Sequence, residues 1–484
     1  MAGMAGVLTR LPTRTGPVPW YARPATGGGL DPVVPPPSEA GPLPPGTTGA
    51  AAPQHGHPNR VRQSLRIAGD LGREVFAGAE LGDTFSFASL LDPRLVVMTQ
   101  HPDHVRSLFT ADPEVAPSLA GESPVRPVVG LSVLTAVGQQ HRRRRKLMMP
   151  SFHGEAIARY REEIRDATAR HLDRWTTGRA FPLAATTQAI TLDVIMSGVF
   201  GIDHRADPAE ARLRHVVRRT LELSTSPVAR FGELLNLDRE ESVGPQKWVV
   251  ARLDRAMYDV IARRRATHEP GARHDILSLL LDVRDEDGAP LTDRELRNEL
   301  LTLVLAGHET TANTIAWTFE RLLRTPAAHD RLRDVVRSGE DPDGYVEATI
   351  TESMRARPVV PLIGRRVRVP WQLGDVVAPA DSRVLIGILL LHHRADLYPD
   401  PFRFAPERFL GRRPGAHEWV PFGGGTRRCL GAALAMEELR IVVPEIARRA
   451  DLVVDAPAPE RPVSRNVTMI PARGGRVRAT SLRA

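Results

Sequence analysis

Cys429 is the only cysteine in a chain of 484 residues. It lies in Phe422-Gly423-Gly424-Gly425-Thr426-Arg427-Arg428-Cys429-Leu430-Gly431, ahead of a helix that should begin near Ala432. Glycines let backbone approach a flat ligand and point its amides at an anion. A helix start and adjacent arginines both favour the thiolate. Most lone cysteines are buried apolar residues, but this one has polar surroundings. A second reactive block is Leu305-Ala306-Gly307-His308-Glu309-Thr310-Thr311-Ala312-Asn313-Thr314. It reads either as a packing glycine with threonines bonding back onto carbonyls, or as a distortion presenting Glu309 and Thr310 to a buried site. Glu352 and Arg355, three apart, share a helix face; alone, such a pair is usually a surface ion pair. The run Gln140-His141-Arg142-Arg143-Arg144-Arg145-Lys146 suits either a nucleic-acid patch or a solvated helix face. Within it, His141 and Arg145 are four apart and share one face.

Composition removes several classes. One cysteine permits no internal disulfide, no Cys-rich zinc site and no four-cysteine iron–sulfur cluster. With 42% hydrophobic and 25% charged residues the chain reads as globular. The net charge is +8, and Lys146 and Lys247 are the only lysines, so arginine supplies nearly all of the basicity. Aromatics at 5% are too few for base-stacking platforms. No nucleic-acid partner is expected; a local basic face for an acidic protein remains open. The first thirty residues contain no apolar run near the ~20 residues of a membrane span, nor the apolar core of a secretory signal. No transmembrane segment and a cytoplasmic location are therefore expected. Pro35-Pro36-Pro37 and Pro42-Leu43-Pro44-Pro45-Gly46 read as a stiff linker. Residues 1–45 are expected to be a proline-rich leader, extended or disordered, and residues 46–484 a single domain.

These reactive residues need elements to position them. Gly82–Phe87 and Arg94–Met98 are β-prone runs separated by Asp92-Pro93, which predicts a hairpin. Residues 150–450 are mostly helical in pattern, and 112–136 read as a long loop. Strand signals return near 366–390 and 464–472. Thr292-Asp293-Arg294-Glu295 is a capping box, and the apolar period runs from it to Leu323, stopped by Thr325-Pro326. About 30 residues make a helix ~45 Å long, enough to cross a domain. Pro444 falls inside the helix after Cys429 and should kink or shorten it. The fold class is mostly α with a small β-rich part.

Phe-x-x-Gly-x-Arg-x-Cys-x-Gly around the only cysteine strongly resembles the haem-binding loop of the cytochrome P450 superfamily, and the chain is similar to its soluble bacterial members. Three further blocks fit the family in order, over about residues 80–475. Glu352-Ser353-Met354-Arg355 looks like its Glu-x-x-Arg helix. Pro406-Glu407-Arg408-Phe409 matches the segment whose arginine completes a buried trio. Ala306-Gly307-x-Glu309-Thr310-Thr311 is similar to its oxygen-activating motif. The resemblance implies the P450 fold, with the long helix passing over haem b (iron protoporphyrin IX) and Cys429 as axial iron ligand. It also implies that Phe422 packs beside the thiolate, that Gly425 and Gly431 give the porphyrin room, and that Ala306 lies over it. Arg427, His141 with Arg145, and Arg366 would meet the propionates. Glu309 and Thr310 would relay protons to dioxygen.

The implied activity is a haem-thiolate monooxygenase that inserts one atom of O2 into an apolar small molecule by hydroxylation or epoxidation. Segments 129–134, 359–363 and 468–470 would contact that substrate. No flavin or nicotinamide loop follows Cys429, so two electrons would come from a separate ferredoxin with its reductase or from a flavoprotein. Arg142, Arg143 and Lys146 would form the docking face, and the protein would be a monomer. A peroxide-driven enzyme, a redox-neutral isomerase, and a haem sensor or carrier without turnover are the rivals; Glu309 and Thr310 argue against the first two. A cysteine hydrolase would need a histidine partner motif that is not apparent.

Overall fold

The computed structural model describes residues 18–483, apart from 91, 124, 153–154, 202–207, 224–238, 240 and 285–287. The architecture is mostly helical with small β regions, as expected. Its axis is the 30-residue helix Asp293–Leu322. The Thr292 hydroxyl caps the Glu295 amide and the Glu295 carboxylate accepts from the Thr292 amide, forming the capping box. Polar positions on this helix are also buried, Asn298, Thr302, Asn313 and Thr318 among them. It therefore has no solvent face to show as amphipathic periodicity.

The helix Leu183–Phe200 packs along it at close range. A Cβ on Gly307 would lie 2.8 Å from Ile195 Cδ1, so the glycine sets the approach of the two backbones. Thr191 and Thr187 donate across the gap to the carbonyls of His308 (2.7 Å) and Ala312 (2.9 Å). Leu183–Phe200 has the length and mean hydropathy (1.4) of a membrane span, but 67% of it is buried, the mark of a core helix.

The main sheet runs Gln54–His55, Thr84–Ser89, Asp92–Thr99, Ser382–Gly387, Leu362–Val367 in spatial order. The expected hairpin is its second and third strands, antiparallel with Phe85 opposite Met98. The later strand signals become Leu362–Val367, Trp371–Leu373, Val376–Ala378 and Ser382–Gly387, and then the hairpin Pro462–Arg465/Thr468–Pro471.

Three local expectations change. The helix after Cys429 runs unbroken from Ala432 to Arg449 with Pro444 inside it. Proline removes one hydrogen bond, while Val442, Val443 and Ile446 are fully buried around it, and this packing carries the helix through. The stretch 112–136 contains two short helical turns, Leu119–Glu122 and Arg126–Val129. Residues 1–17 of the leader lie outside the described residues. From residue 18 the leader is packed on the body rather than free. Trp20 is 3% exposed, Ala40–Pro42 pairs with Trp371–Leu373, and the Asp400 carboxylate accepts from the amides of Thr26 and Gly27. Proline spacing hid this, because the buried anchor is a single tryptophan in a polar, unpatterned stretch.

Candidate active site

The glycine-rich loop turns tightly into the helix Ala432–Arg449. The Cys429 amide donates to the Phe422 carbonyl (2.8 Å), and Arg428 donates to Gly425 (3.2 Å). Gly425 has φ +62°, and a Cβ there would sit 1.9 Å from the Phe109 carbonyl oxygen. Its glycine thus serves the loop's packing on Phe109 rather than opening room for a ligand. Gly431 is different, since a Cβ there would meet nothing within 4 Å. Phe422 is half-buried, edge-on to Trp419 at 6.1 Å.

Behind the loop, Arg355 meets Glu352 through paired bonds of 2.6 and 2.8 Å, both side chains wholly buried. Arg408 approaches Glu352 at 3.5 Å. Arg355 also donates to the His392 carbonyl (2.9 Å), and His392 Nε2 accepts from the Val420 amide (2.9 Å). Burial pushes His392 down to about 3, which keeps that acceptor neutral. The trio is thus tied to the start of the cysteine loop, and the Trp419 indole donates to the Thr351 carbonyl (3.1 Å) as a second tie.

Cys429 is accessible, yet burial pushes its thiol up, opposed by the Gly431 amide and by Arg145 and Arg428. Both facts hold for a side chain that opens on an interior cavity. The surrounding protein alone therefore does not lower the thiol as the local sequence suggested; a coordinated metal cation deprotonates such a thiol outright. Ala306 is likewise exposed although it sits midway along the buried central helix.

Around the loop stand four basic groups. His141 is buried, and burial with Arg427, Arg145 and Arg365 drives it down to about 3. Arg145 donates to the Arg428 carbonyl (2.7 Å). Arg427 donates to the carbonyls of Ala136 (2.7 Å) and Leu134, and is pulled down to about 10 by burial, Arg365 and Arg145. Arg365 is 5% exposed and lowered to about 10 by burial; its side chain donates to its neighbour's carbonyl, Gly364 at 3.2 Å, and lies over the Phe109 ring, 5.8 Å from the centroid. Among the described residues none of the four pairs with a carboxylate.

Arg366 is not part of this group. Side chains alternate along a strand. In Leu362–Val367, Arg366 stands opposite Arg383, and both bind Glu122 at 2.7 Å on the outer side. The adjacent Arg365 takes the inner face. The Arg-Arg doublet carries no signal of which member points inward; only the strand register decides it.

On the central helix, Thr310 donates to the Ala306 carbonyl (2.8 Å). Glu309 turns away from Thr310 toward the C-terminal hairpin, accepting from Thr468 (3.4 Å) with Arg465 at 3.4 Å. Burial pushes its carboxyl up, and Arg465 and Thr468 pull it back. One step behind, burial raises Glu438 to about 8, with Thr311 as its hydrogen-bonding neighbour. Glu438 was not singled out from sequence because nothing local distinguishes it from its neighbour Glu437 in an ordinary charged helix. Glu299 was missed for the same reason; it accepts from the Val133 amide (2.9 Å) and Arg144 (2.7 Å), fixing the loop whose carbonyls Arg427 holds.

These residues fit a haem. The accessible thiol would supply the iron ligand, Gly431 leaves the adjacent space open, and three arginines with a neutral His141, none paired with a carboxylate among the described residues, suit the two propionates of the macrocycle.

Comparison with known proteins agrees. The sequence matches the profile described as Cytochrome P450 over residues 79–475. It is 38% identical over 377 residues to a putative cytochrome P450 137 of Mycobacterium tuberculosis, covering 77% of this chain and 78% of that one. It is 35% identical over 415 residues to a putative cytochrome P450 138 of Mycobacterium bovis, covering 84% and 90%. In fold it is similar to retinoic acid bound cyanobacterial CYP120A1, with TM-score 0.74, 22% identity and 90% and 100% of the two chains covered. With thiol, cationic cluster and central helix in place, the chain belongs to the cytochrome P450 family and is a haem-thiolate monooxygenase, an oxidoreductase.

Proposed function

We propose that the protein binds haem b through Cys429, takes two electrons from a separate acidic donor, and inserts one atom of O2 into an apolar molecule. The observation that carries this is the accessible Cys429 beside His141, Arg145, Arg365 and Arg427, none of which pairs with a carboxylate among the described residues. The haem, when bound, supplies the redox chemistry that cleaves dioxygen. The residues of the chain do the rest. Arg365, Arg427, Arg145 and His141 hold the propionates, in place of the Arg366 that the family pattern suggested. Cys429 is the only cysteine, so no pair of thiols is left to attach the macrocycle covalently, which favours haem b.

Forming alcohol and water from substrate and O2 consumes two electrons and two protons. Glu309 is suited to hold a proton, since burial favours its neutral form, and Thr310 one position on presents a hydroxyl. Turning Glu309 from Arg465 and Thr468 toward Thr310 would place acid and alcohol in line. Ile363 stands beside the loop, 3.6 Å from where a Cβ on Gly423 would lie, and Val359 of the same segment is buried against Met469; both are apolar, which suits a greasy substrate. Arg142, Arg143, Lys146 and Arg428 are exposed on the cysteine side and match an acidic ferredoxin or flavoprotein.

The test is Cys429→His. The reduced carbon monoxide complex of the wild type should show the red-shifted Soret band of thiolate ligation, and the variant should lose it. A wild type with the unshifted, histidine-type band would overturn the assignment.

A further inference from the structure

The proline-rich leader carries a residue that the P450 reading does not use. Trp20 is 3% exposed and lies over the guanidinium of Arg357, which is 4.9 Å from its ring centroid. Trp317 of the central helix takes another side of the same guanidinium at 5.7 Å. Arg357 is itself buried and forms no ion pair among the described residues. It donates to the carbonyls of Tyr21 (3.0 Å) and Ala356 (2.8 Å), and its Nε has no partner. Glu320, itself held by Arg321 and Arg324 at 2.6 Å, acts on this cation only from beyond ion-pair distance, so the two indole faces join the two carbonyls as its close contacts. The seat of Trp20 is shaped for it: a Cβ on Gly72 would stand 2.0 Å from its Nε1.

From this sandwich the contacts run to the interior. Trp317 Nε1 donates to the Met469 carbonyl (3.0 Å), and the Met469 amide donates to the Val359 carbonyl (2.6 Å). Trp20 and Met469 share one apolar cluster. Thr468, next to Met469, is the residue that holds Glu309. The leader, the end of the Glu352–Arg355 helix, the central helix and the C-terminal hairpin therefore meet at Arg357.

We propose that Trp20 is a positioning residue for the substrate wall: through Arg357 and Trp317 it fixes Val359 and Met469, and Met469 adjoins the Thr468 that holds Glu309, so that the leader sets affinity for bulky apolar ligands. This rests on the haem-thiolate reading of the site.

The experiment titrates the ferric full-length protein with imidazole, too small to reach the wall, and with 4-phenylimidazole, whose phenyl ring extends toward it. Trp20→Ala should weaken 4-phenylimidazole by about tenfold or more, the scale of a lost buried cation–π contact, while imidazole changes by less than about twofold. Trp20→Phe should fall between. Gly72→Ala, which pushes the indole out of its seat, should reproduce Trp20→Ala. Gly69→Ala, whose added carbon meets open space, should leave both probes unchanged. Chymotrypsin cleavage after Tyr21, whose ring packs edge-on to Trp20 at 6.0 Å, should be faster in Trp20→Ala and Gly72→Ala than in wild type. Equal effects on the two probes, or no effect on either, would overturn the proposal. If Trp20→Ala yields no folded protein, Gly72→Ala and Trp20→Phe decide it by the same criterion. A wild type that binds neither probe refutes the haem reading instead.

Discussion

Neighbouring arginines on one strand make opposite demands on the cofactor. Arg365 is buried, with its guanidinium lowered to about 10 by burial and no carboxylate partner among the described residues, whereas Arg366 is tied to Glu122 on the outer face. A buried, charge-assisted hydrogen bond to a propionate contributes ~1.5–3 kcal/mol, so Arg365→Gln should weaken haem retention roughly 10- to 150-fold. Arg366→Gln breaks a partly exposed ion pair of ~0–1 kcal/mol, and haem retention should stay within about fivefold. The assay is haem transfer to excess apomyoglobin, followed by the Soret change, with far-ultraviolet circular dichroism to confirm that both variants are folded. If Arg366→Gln loses haem faster than Arg365→Gln, the register argument and the cationic cluster built on it are refuted.

Glu438 has a folded-state pKa raised from 4.5 to about 8, so the folded protein binds its proton more tightly than the unfolded chain. Its contribution to stability is therefore full below pH ~4.5 and lost as pH rises toward ~8, a cost of ~3 kcal/mol at pH 7. Glu438→Gln should accordingly gain on wild type in urea midpoint between pH 5 and pH 8; parallel curves would show that the carboxyl is not held neutral. Glu352→Gln removes one partner of a wholly buried ion pair and should cost ~3–5 kcal/mol by urea unfolding; a loss below ~1 kcal/mol would mean that the trio is not a structural tie. Thr310→Ala should leave reductant consumption intact while diverting it to peroxide, measured as the ratio of product to NAD(P)H oxidised; an unchanged ratio removes the hydroxyl from the proton path. Gly425→Ala must clear the Phe109 carbonyl at positive φ, so haem-loaded yield should collapse, and a normal yield would refute the close packing of the loop.

Much of the site was legible in order along the chain. The glycine-rich loop around Cys429, the Glu352–Arg355 spacing, the capping box at Thr292 and the acid–alcohol pair Glu309–Thr310 are local signals, because each depends on residues within one turn or one loop. Other features had no local signal. The inward choice of Arg365 over Arg366 depends on pairing with Ser382–Gly387. The continuity of the helix through Pro444 depends on burial of Val442, Val443 and Ile446. The role of Gly425 depends on Phe109, more than 300 residues earlier. The leader read as free because prolines dominate its composition, while its anchoring comes from distant partners: Arg357 under the Trp20 indole, Asp400 at Thr26 and Gly27, and Trp371–Leu373 beside Ala40–Pro42.

By itself the sequence determined the kind of chemistry and the cofactor it needs: one thiol in a glycine-rich loop, an acid and a hydroxyl mid-helix, and the helix long enough to span between them. Tertiary structure alone decided which cations face the cavity, where Glu309 points and whether the leader belongs to the body. Motif chemistry is written in residue types a few positions apart, whereas strand facing, burial and the approach of distant side chains exist only once the chain has packed against itself.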